Sequence, residues 1–306
     1  MTDTSSSSHT RMQDFASHAD LPVGADIRLV LSDIDGTLVG ADHHPIPASK
    51  PYIHELMEYM PLCLVSARSP EGIFSVQKPL DIHGAYAAYS GAYVVDASGR
   101  ELYSTTIPLS AALAIKEYLT RALPNIAVGT YAFNTWIVDD AHNIYVEREA
   151  HFVQTSPAVC RDLSSVFDER GIHKFLLMGE PADIAQAEQT LALRYPELFV
   201  VRSNDILCEI MNKNASKKKA AELLCKAHGV LPENAAAFGD GPNDLDMLDA
   251  VSYSFAMKNA EDQVKARAHF LCPWTNEECG VPRTILAIHA SNAGHNPGHN
   301  PGQCSS

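Results

Sequence analysis

Short apolar runs that stop abruptly at polar turns place the tightest limit on what this chain can become. Ile27–Leu31 leads into Ser32-Asp33-Ile34-Asp35-Gly36-Thr37, and Leu62–Val65 into Ser66-Ala67-Arg68. Tyr86–Tyr89 leads into Ser90-Gly91, and Ala235–Phe238 into Gly239-Asp240-Gly241-Pro242-Asn243-Asp244. Val251–Phe255 reads as a further run. Such lengths suit strands buried on both faces. Helical spacing fills the intervals: Tyr52, Leu56 and Tyr59 in one, and Ala220, Leu223, Leu224 and Ala227 in another, with Gly229 as its stop. Strands alternating with helices predict a doubly wound parallel sheet.

The segment from about 102 to 208 has a different texture. Helical stretches at Ala111–Leu123 and Ile184–Arg194 mix with strands at Asn134–Val138 and Lys174–Met178, and no polar motif follows these strands. It reads as an inserted α/β domain, which divides the core into 27–101 and 209–290. Residues 1–26, rich in Ser, Thr, Asp and His, read as a flexible lead-in, and 291–306, with the repeat GHNPGHNPG, as a flexible tail. Within that tail His295 and His299 offer metal-ligand chemistry, against the plainer reading of a disordered end.

A length of 306 residues fits about two domains. The formal net charge of -14 argues against nucleic acid or an anionic membrane as partner, and leaves room for a small anionic substrate at a locally positive site. The 7 cysteines are odd in number, scattered and free of C-x-x-C pairs, which suits a reducing compartment. No apolar segment resembles a signal peptide or a membrane span, so a cytoplasmic protein is expected.

Asp33 and Asp35, spaced i and i+2 after a strand, can share one side of an extended segment, and Gly36 permits a tight turn. Ligands bind beyond the carboxyl ends of strands in open α/β sheets. Two adjacent carboxylates repel, and a divalent cation with hard oxygen ligands, Mg²⁺, resolves this, with Asp240 completing the site. Acids at turns and helix caps are the competing explanation, both here and for GDGPND, where the helix dipole favours them. Ser66 can donate to a phosphate oxygen or serve simply as a turn residue. Ser216-Lys217-Lys218-Lys219 opens a helix with three cations in its first turn, against the dipole at about 0.3–1 kcal/mol each. A bound phosphate would offset that cost.

Taken together, LVLSDIDGTLV, LCLVSARSP, CEIMNKNASKKKA and AFGDGPNDLDML resemble the haloacid dehalogenase superfamily of phosphohydrolases, in its Cof-type branch with a type II cap. YSGAYVVD and SFAMKNAEDQVKARA are weaker matches, and the resemblance spans about Ile27 to Ile288. It implies a Rossmann-like core with the insert as cap, and an Mg²⁺-dependent phosphatase acting through an aspartyl-phosphate. By resemblance Asp33 is nucleophile and metal ligand. Asp35 is acid/base and binds metal through its carbonyl. Ile34 (through its backbone), Ser66, Lys217 and Asn243 hold the phosphoryl group, Asp240 is the acidic metal ligand, and Asp244 supports it. Ala67 and Lys218 replace usual glycines, Ser90 a usual Asn, and Cys279 a usual acid; no catalytic group is lost, and the register selects Lys217.

The resemblance leaves the leaving group open, with sugar phosphates and phosphorylated cofactors as the expected classes of small phosphorylated metabolite. In the cap, Tyr131, Phe133 and Trp136 either line the cleft or fill the cap's own core. A phosphomutase or a non-catalytic phosphometabolite sensor would share parts of this pattern. A sensor is expected to lack Asp33 or Asp35, and both are present.

Overall fold

The computed structural model describes residues 21–294. His295, His299 and the terminal repeat lie outside the described residues, as do residues 1–20. The chain starts with β1 (Leu29–Ser32), α1 (Lys50–Tyr59), β2 (Leu62–Val65), α2 (Pro70–Leu80) and β3 (Tyr86–Ala88). Strands β4 (Tyr93–Val95) and β5 (Glu101–Ser104) follow. The insert contributes α3 (Leu109–Ala122), β6 (Ala127–Ala132), β7 (Thr135–Val138), α4 (Ile144–Val153), β8 (Ala158–Val159), β9 (Lys174–Met178), α5 (Pro181–Arg194), β10 (Leu198–Asn204) and β11 (Leu207–Asn212). The core resumes with α6 (Lys217–Ala227), β12 (Ala235–Gly239), α7 (Leu245–Leu248), β13 (Tyr253–Ala256), α8 (Asp262–Lys265), β14 (Phe270–Leu271) and α9 (Gly280–Gly294).

Eight strands form the core sheet in the order β14-β13-β12-β1-β2-β3-β4-β5. The first six are mutually parallel, β4 runs antiparallel to β3, and β5 runs antiparallel to β4. Every residue of β1, β2 and β12 is buried, as their unbroken apolar runs require for a sheet covered on both faces. Because β1 is central, with β12 and β2 beside it in parallel, the turns after these three strands open at the same sheet edge.

The second sheet, β10-β11-β9-β6-β7-β8, shows the period of two expected of a sheet with dissimilar faces. On β9, Phe175 and Leu177 pack outward beneath α3 and α5 with Ile115, Leu119, Ile184 and Leu191. Leu176 and Met178 pack the other way, with Tyr131, Trp136, Val138 and Val146, continuous with the core cluster. Lys174 and Glu209 occupy that same inward-facing set of positions on β9 and β11, with Lys174 reaching the turn after β2.

Several boundaries differ from the sequence expectation. β5 extends the core sheet to Ser104, past the expected limit at 101, because it pairs with β4. β11 belongs to the cap sheet through Asn212, past the expected 208, because it pairs with β9 and β10. Residues 21–26 and 291–294 join the folded body. Gly24 N–H donates to Asn292 Oδ1 at 2.6 Å, Asn292 Nδ2 donates to Ala25 O at 2.8 Å, and α9 runs to Gly294. In α1 the buried face is Ile53 and Leu56, while Tyr52 and Tyr59 are exposed; one ring stacks on His289 at the surface.

The chain crosses between core and cap twice, at 105–108 and 213–216. The crossings meet: Asn212 Nδ2 donates to Thr106 O at 2.8 Å, and Ile107 bridges to Ile172.

Candidate active site

Parallel pairing of β1 with β12 brings Asp33 beside Asp240 and Asp244, and one carboxylate oxygen from each lies within 4.8 Å of the other two. Gly36 allows this approach. It adopts φ +72°, and a Cβ there would stand 2.1 Å from Asp240 Oδ2. Thr37 Oγ1 donates to Asp240 Oδ1 at 3.1 Å.

Lys217, at the first position of α6, is 2% exposed and donates to Asp33 Oδ1 and Asp244 Oδ1, each at 2.6 Å. Its charge at a helix N-terminus is therefore answered by protein carboxylates. Lys218 and Lys219 point to solvent, with Ser216 capping the helix and Asp246 accepting from Ser216 Oγ and the Lys218 amide. Of the three lysines, Lys217 is the one that reaches the Asp33 carboxylate.

Three carboxylates around one ammonium leave a local charge of about −2. Burial and the neighbouring Asp244 push the Asp33 carboxyl well above its ordinary range, and Lys217 opposes them. Burial and Asp244 likewise raise Asp240 to about 6. A hard divalent cation would remove both penalties, and the all-oxygen donor set suits Mg²⁺. Asp244 has its second oxygen engaged by the amides of Asp240 (3.0 Å) and Gly241 (3.1 Å). The oxygens left for a metal are thus mainly those of Asp33 and Asp240, with Asp244 in support.

Asp35 departs from the sequence argument, which grouped its charge with Asp33 and Asp240. Its side chain turns to cations of its own. Arg68 donates to both oxygens, Nε at 2.9 Å and Nη2 at 2.7 Å, and His43 Nδ1 lies 2.8 Å from Oδ1. Burial pushes Asp35 up, but His43 and Arg68 outweigh it and hold the carboxyl far below the usual range. His43 takes φ 64°, a conformation costing a non-glycine residue roughly 1 kcal/mol or more, in a hairpin closed by Val39 and Pro45. Neither Arg68 nor His43 was singled out from sequence. Arg68 stood within the quoted SARSP block, whereas His43 carries no local signal in ADHHPIP.

Ser66 is buried and its Oγ accepts from the Arg68 amide at 3.1 Å, which leaves its proton free to donate elsewhere. The Ile34 side chain is buried and its carbonyl closes the turn by accepting from Thr37, Leu38 and Val39. Asn243 is exposed on the turn before α7.

A cavity of about 330 Å³ separates this edge from the cap. Asp35, His43 and Arg68 form its floor, and Tyr131, Glu149, Phe152, Lys174 and Glu209 its cap side. Of the three expected aromatics only Tyr131 lines it. Trp136 is buried and stacked on the Tyr131 ring (5.2 Å, 11°), and Phe133 packs at the core–cap junction against Tyr93 and His173. The other aromatic walls, Tyr145 and Phe152, come from α4, a helix the sequence reading did not contain.

Residues 30–285 match the family model described as haloacid dehalogenase-like hydrolase. The chain belongs to that family. A Haemophilus influenzae protein named "Putative phosphatase" is 32% identical over 82% of this chain and 94% of its own length. A haloacid dehalogenase-like hydrolase from Bacteroides thetaiotaomicron superposes with a TM-score of 0.78 at 24% identity, over 86% of this chain and 99% of that one. One from B. subtilis gives 0.70 at 22%, over 85% and 99%. These likenesses carry the fold, a Rossmann-like core with a cap. This member of the family is an enzyme, a phosphatase, and among its described residues no helix is long and apolar enough to cross a membrane.

Proposed function

We propose that the chain is an Mg²⁺-dependent phosphomonoesterase in which Asp33 receives the phosphoryl group of a small metabolite. The observation that carries this reading is Lys217 set between Asp33 and Asp244, beside Asp240: a nucleophile with a fixed cation and a cluster of acids that lacks positive charge. Asp33 and Asp240 would hold Mg²⁺, with the Asp35 carbonyl assigned by resemblance. Bound there, Mg²⁺ would supply the positive charge that phosphoryl transfer requires around the phosphoryl oxygens.

An Asp33 oxygen attacks phosphorus, and the bond from phosphorus to the leaving oxygen breaks. Lys217, the Ser66 hydroxyl, Asn243 and the Ile34 backbone orient the phosphoryl oxygens. The leaving oxygen takes a proton from the hydrogen-bonded Asp35–His43 pair. Asp35, held as a carboxylate by Arg68, then accepts a proton from water as that water attacks the aspartyl-phosphate, releasing phosphate and restoring Asp33. The cavity of about 330 Å³ suits a small leaving group.

Phosphate release from p-nitrophenyl phosphate, with Mg²⁺ and with chelator, tests the reading. Turnover should require the metal and vanish in Asp33→Asn. Undiminished activity in either arm would overturn it.

A further inference from the structure

The cap side of the cavity holds carboxylates with little to bind. Glu149, on α4, makes no hydrogen bond among the described residues and lines the cavity. Glu209 is 8% exposed, and its hydrogen bond is a long one from Lys174 Nζ at 3.3 Å. Apart from Arg148, the other charges of the cleft are answered. Asp35 is matched by Arg68 and His43, and Lys174 has both Glu209 and the Ala67 carbonyl, at 3.0 Å. Arg148 lies at the exposed rim with its guanidinium 5.4 Å from the Phe152 ring centre. A carboxylate drawn out of water with few donors is costly, and a ligand that brings donors would offset that cost. Tyr131, Tyr145 and Phe152 give the same space apolar walls.

We propose that Glu149 and Glu209 form an acceptor subsite that selects phosphomonoesters whose alcohol carries hydrogen-bond donors, hydroxyl or ammonium, and no second anionic group. This rests on the phosphatase reading above. Each donor on the leaving group would satisfy a carboxylate oxygen that the protein leaves open. A carboxylate or second phosphate on the leaving group would meet like charge in a desolvated space, with Lys174 already engaged. Glu209 and Glu149 are thus specificity-determining, and Lys174 positions Glu209.

The test compares the wild-type enzyme with Glu149→Gln and Glu209→Gln on four esters: p-nitrophenyl phosphate, a hexose monophosphate, phosphoethanolamine and phosphoglycolate. Wild-type kcat/KM for the hexose ester or for phosphoethanolamine should exceed that for phosphoglycolate by on the order of 100-fold. Whichever of the two is preferred identifies the donor. Each Gln variant should lower kcat/KM for the preferred ester by about 10-fold or more relative to its effect on p-nitrophenyl phosphate. Phosphoglycolate should improve relative to it. Equal losses on all four esters, or wild-type turnover of phosphoglycolate matching the donor-bearing esters, would overturn the subsite while the phosphatase reading stood. No hydrolysis of p-nitrophenyl phosphate by the wild-type enzyme would remove both. Glu149 is half-buried and unbonded, so its variant reports on the subsite even where Glu209→Gln unfolds.

Discussion

Two lysines lie buried on opposite walls of one cleft, and they are held very differently. Lys217, on the core, is clamped by two carboxylates at 2.6 Å and begins a helix whose Lys218 and Lys219 amides are bonded by Asp246 and the Ser216 cap. Lys174, on the cap, has one carboxylate at 3.3 Å and a backbone carbonyl across the domain boundary. On the core wall two short ion pairs hold Lys217 between Asp33 and Asp244, and so fix the reacting atoms in place. The cap wall leaves acceptors open, and its arrangement is completed from outside. Rigid placement serves a phosphoryl group common to all substrates, whereas open valence serves the part that varies.

The largest expected effect tests the core wall. Asp33→Asn should cut turnover by on the order of 1,000-fold or more and abolish acid-stable labelling by a phosphorylated substrate, with the fold unchanged by circular dichroism. Retained labelling at another residue would move the nucleophile. Next, the two lysines can be set against each other. Lys217→Met strands Asp33 and Asp244 in the interior and should cost about 3–5 kcal/mol in urea unfolding with chelator present. Lys174→Met should cost less than half of that, since its partner faces the cavity. Equal costs would erase the distinction between the walls.

The junction between the walls supplies a pH test. His173 is buried with its ring stacked on Tyr89, its Nδ1 accepting from the Phe133 amide, and burial with Arg170 lowers its pKa to about 4. Unfolded, it binds a proton near pH 6.5; folded, only near 4. Unfolding therefore takes up a proton between these values, and stability should fall as pH drops from 6.5 to 4, by up to about 3 kcal/mol. His173→Gln should flatten that difference in denaturation midpoints measured across the window. An unchanged slope would place the junction's acid sensitivity elsewhere. The smallest effect concerns the rim. Asn292→Ala removes two hydrogen bonds to Gly24 and Ala25 and should lower stability by about 1–2 kcal/mol without altering kcat/KM. A catalytic loss would show that this edge of the core communicates with the cleft.

The same division explains what the sequence made legible. Asp33, Ser66, Lys217 and Asp240 sit in contiguous turns directly after strands or at a helix start, so each site residue carries its own local context. The cleft residues of the cap come from β6, α4, β9 and β11, and register alone brings them together. Lys174 opens the run KFLLM and Glu209 interrupts LCEIMN, so each resembles an ordinary polar end or break in a strand. α4 escaped notice because only Val146 of its ten residues is fully buried, which leaves its apolar periodicity weak. In α1, Tyr52-Leu56-Tyr59 and Ile53-Leu56-Met60 are almost equally spaced, so spacing alone does not choose between them, and the structure buries the second set. Asp35 could not be separated from its neighbours by spacing, since Arg68 and His43 reach it from other turns.

The meeting of the two crossings, where Asn212 holds Thr106, also bears on how such a protein can change over generations. An insert whose ends are tied together makes almost the same demand on its host whatever its size, because loop-closure entropy grows only with the logarithm of length. The catalytic sheet therefore meets the whole cap as if it were a short surface loop. Strands can be added, helices lengthened and cleft residues exchanged on the far side of that knot while the phosphoryl-handling edge keeps its geometry. Substrate range can thus drift in one half of the molecule under selection that leaves the other half untouched.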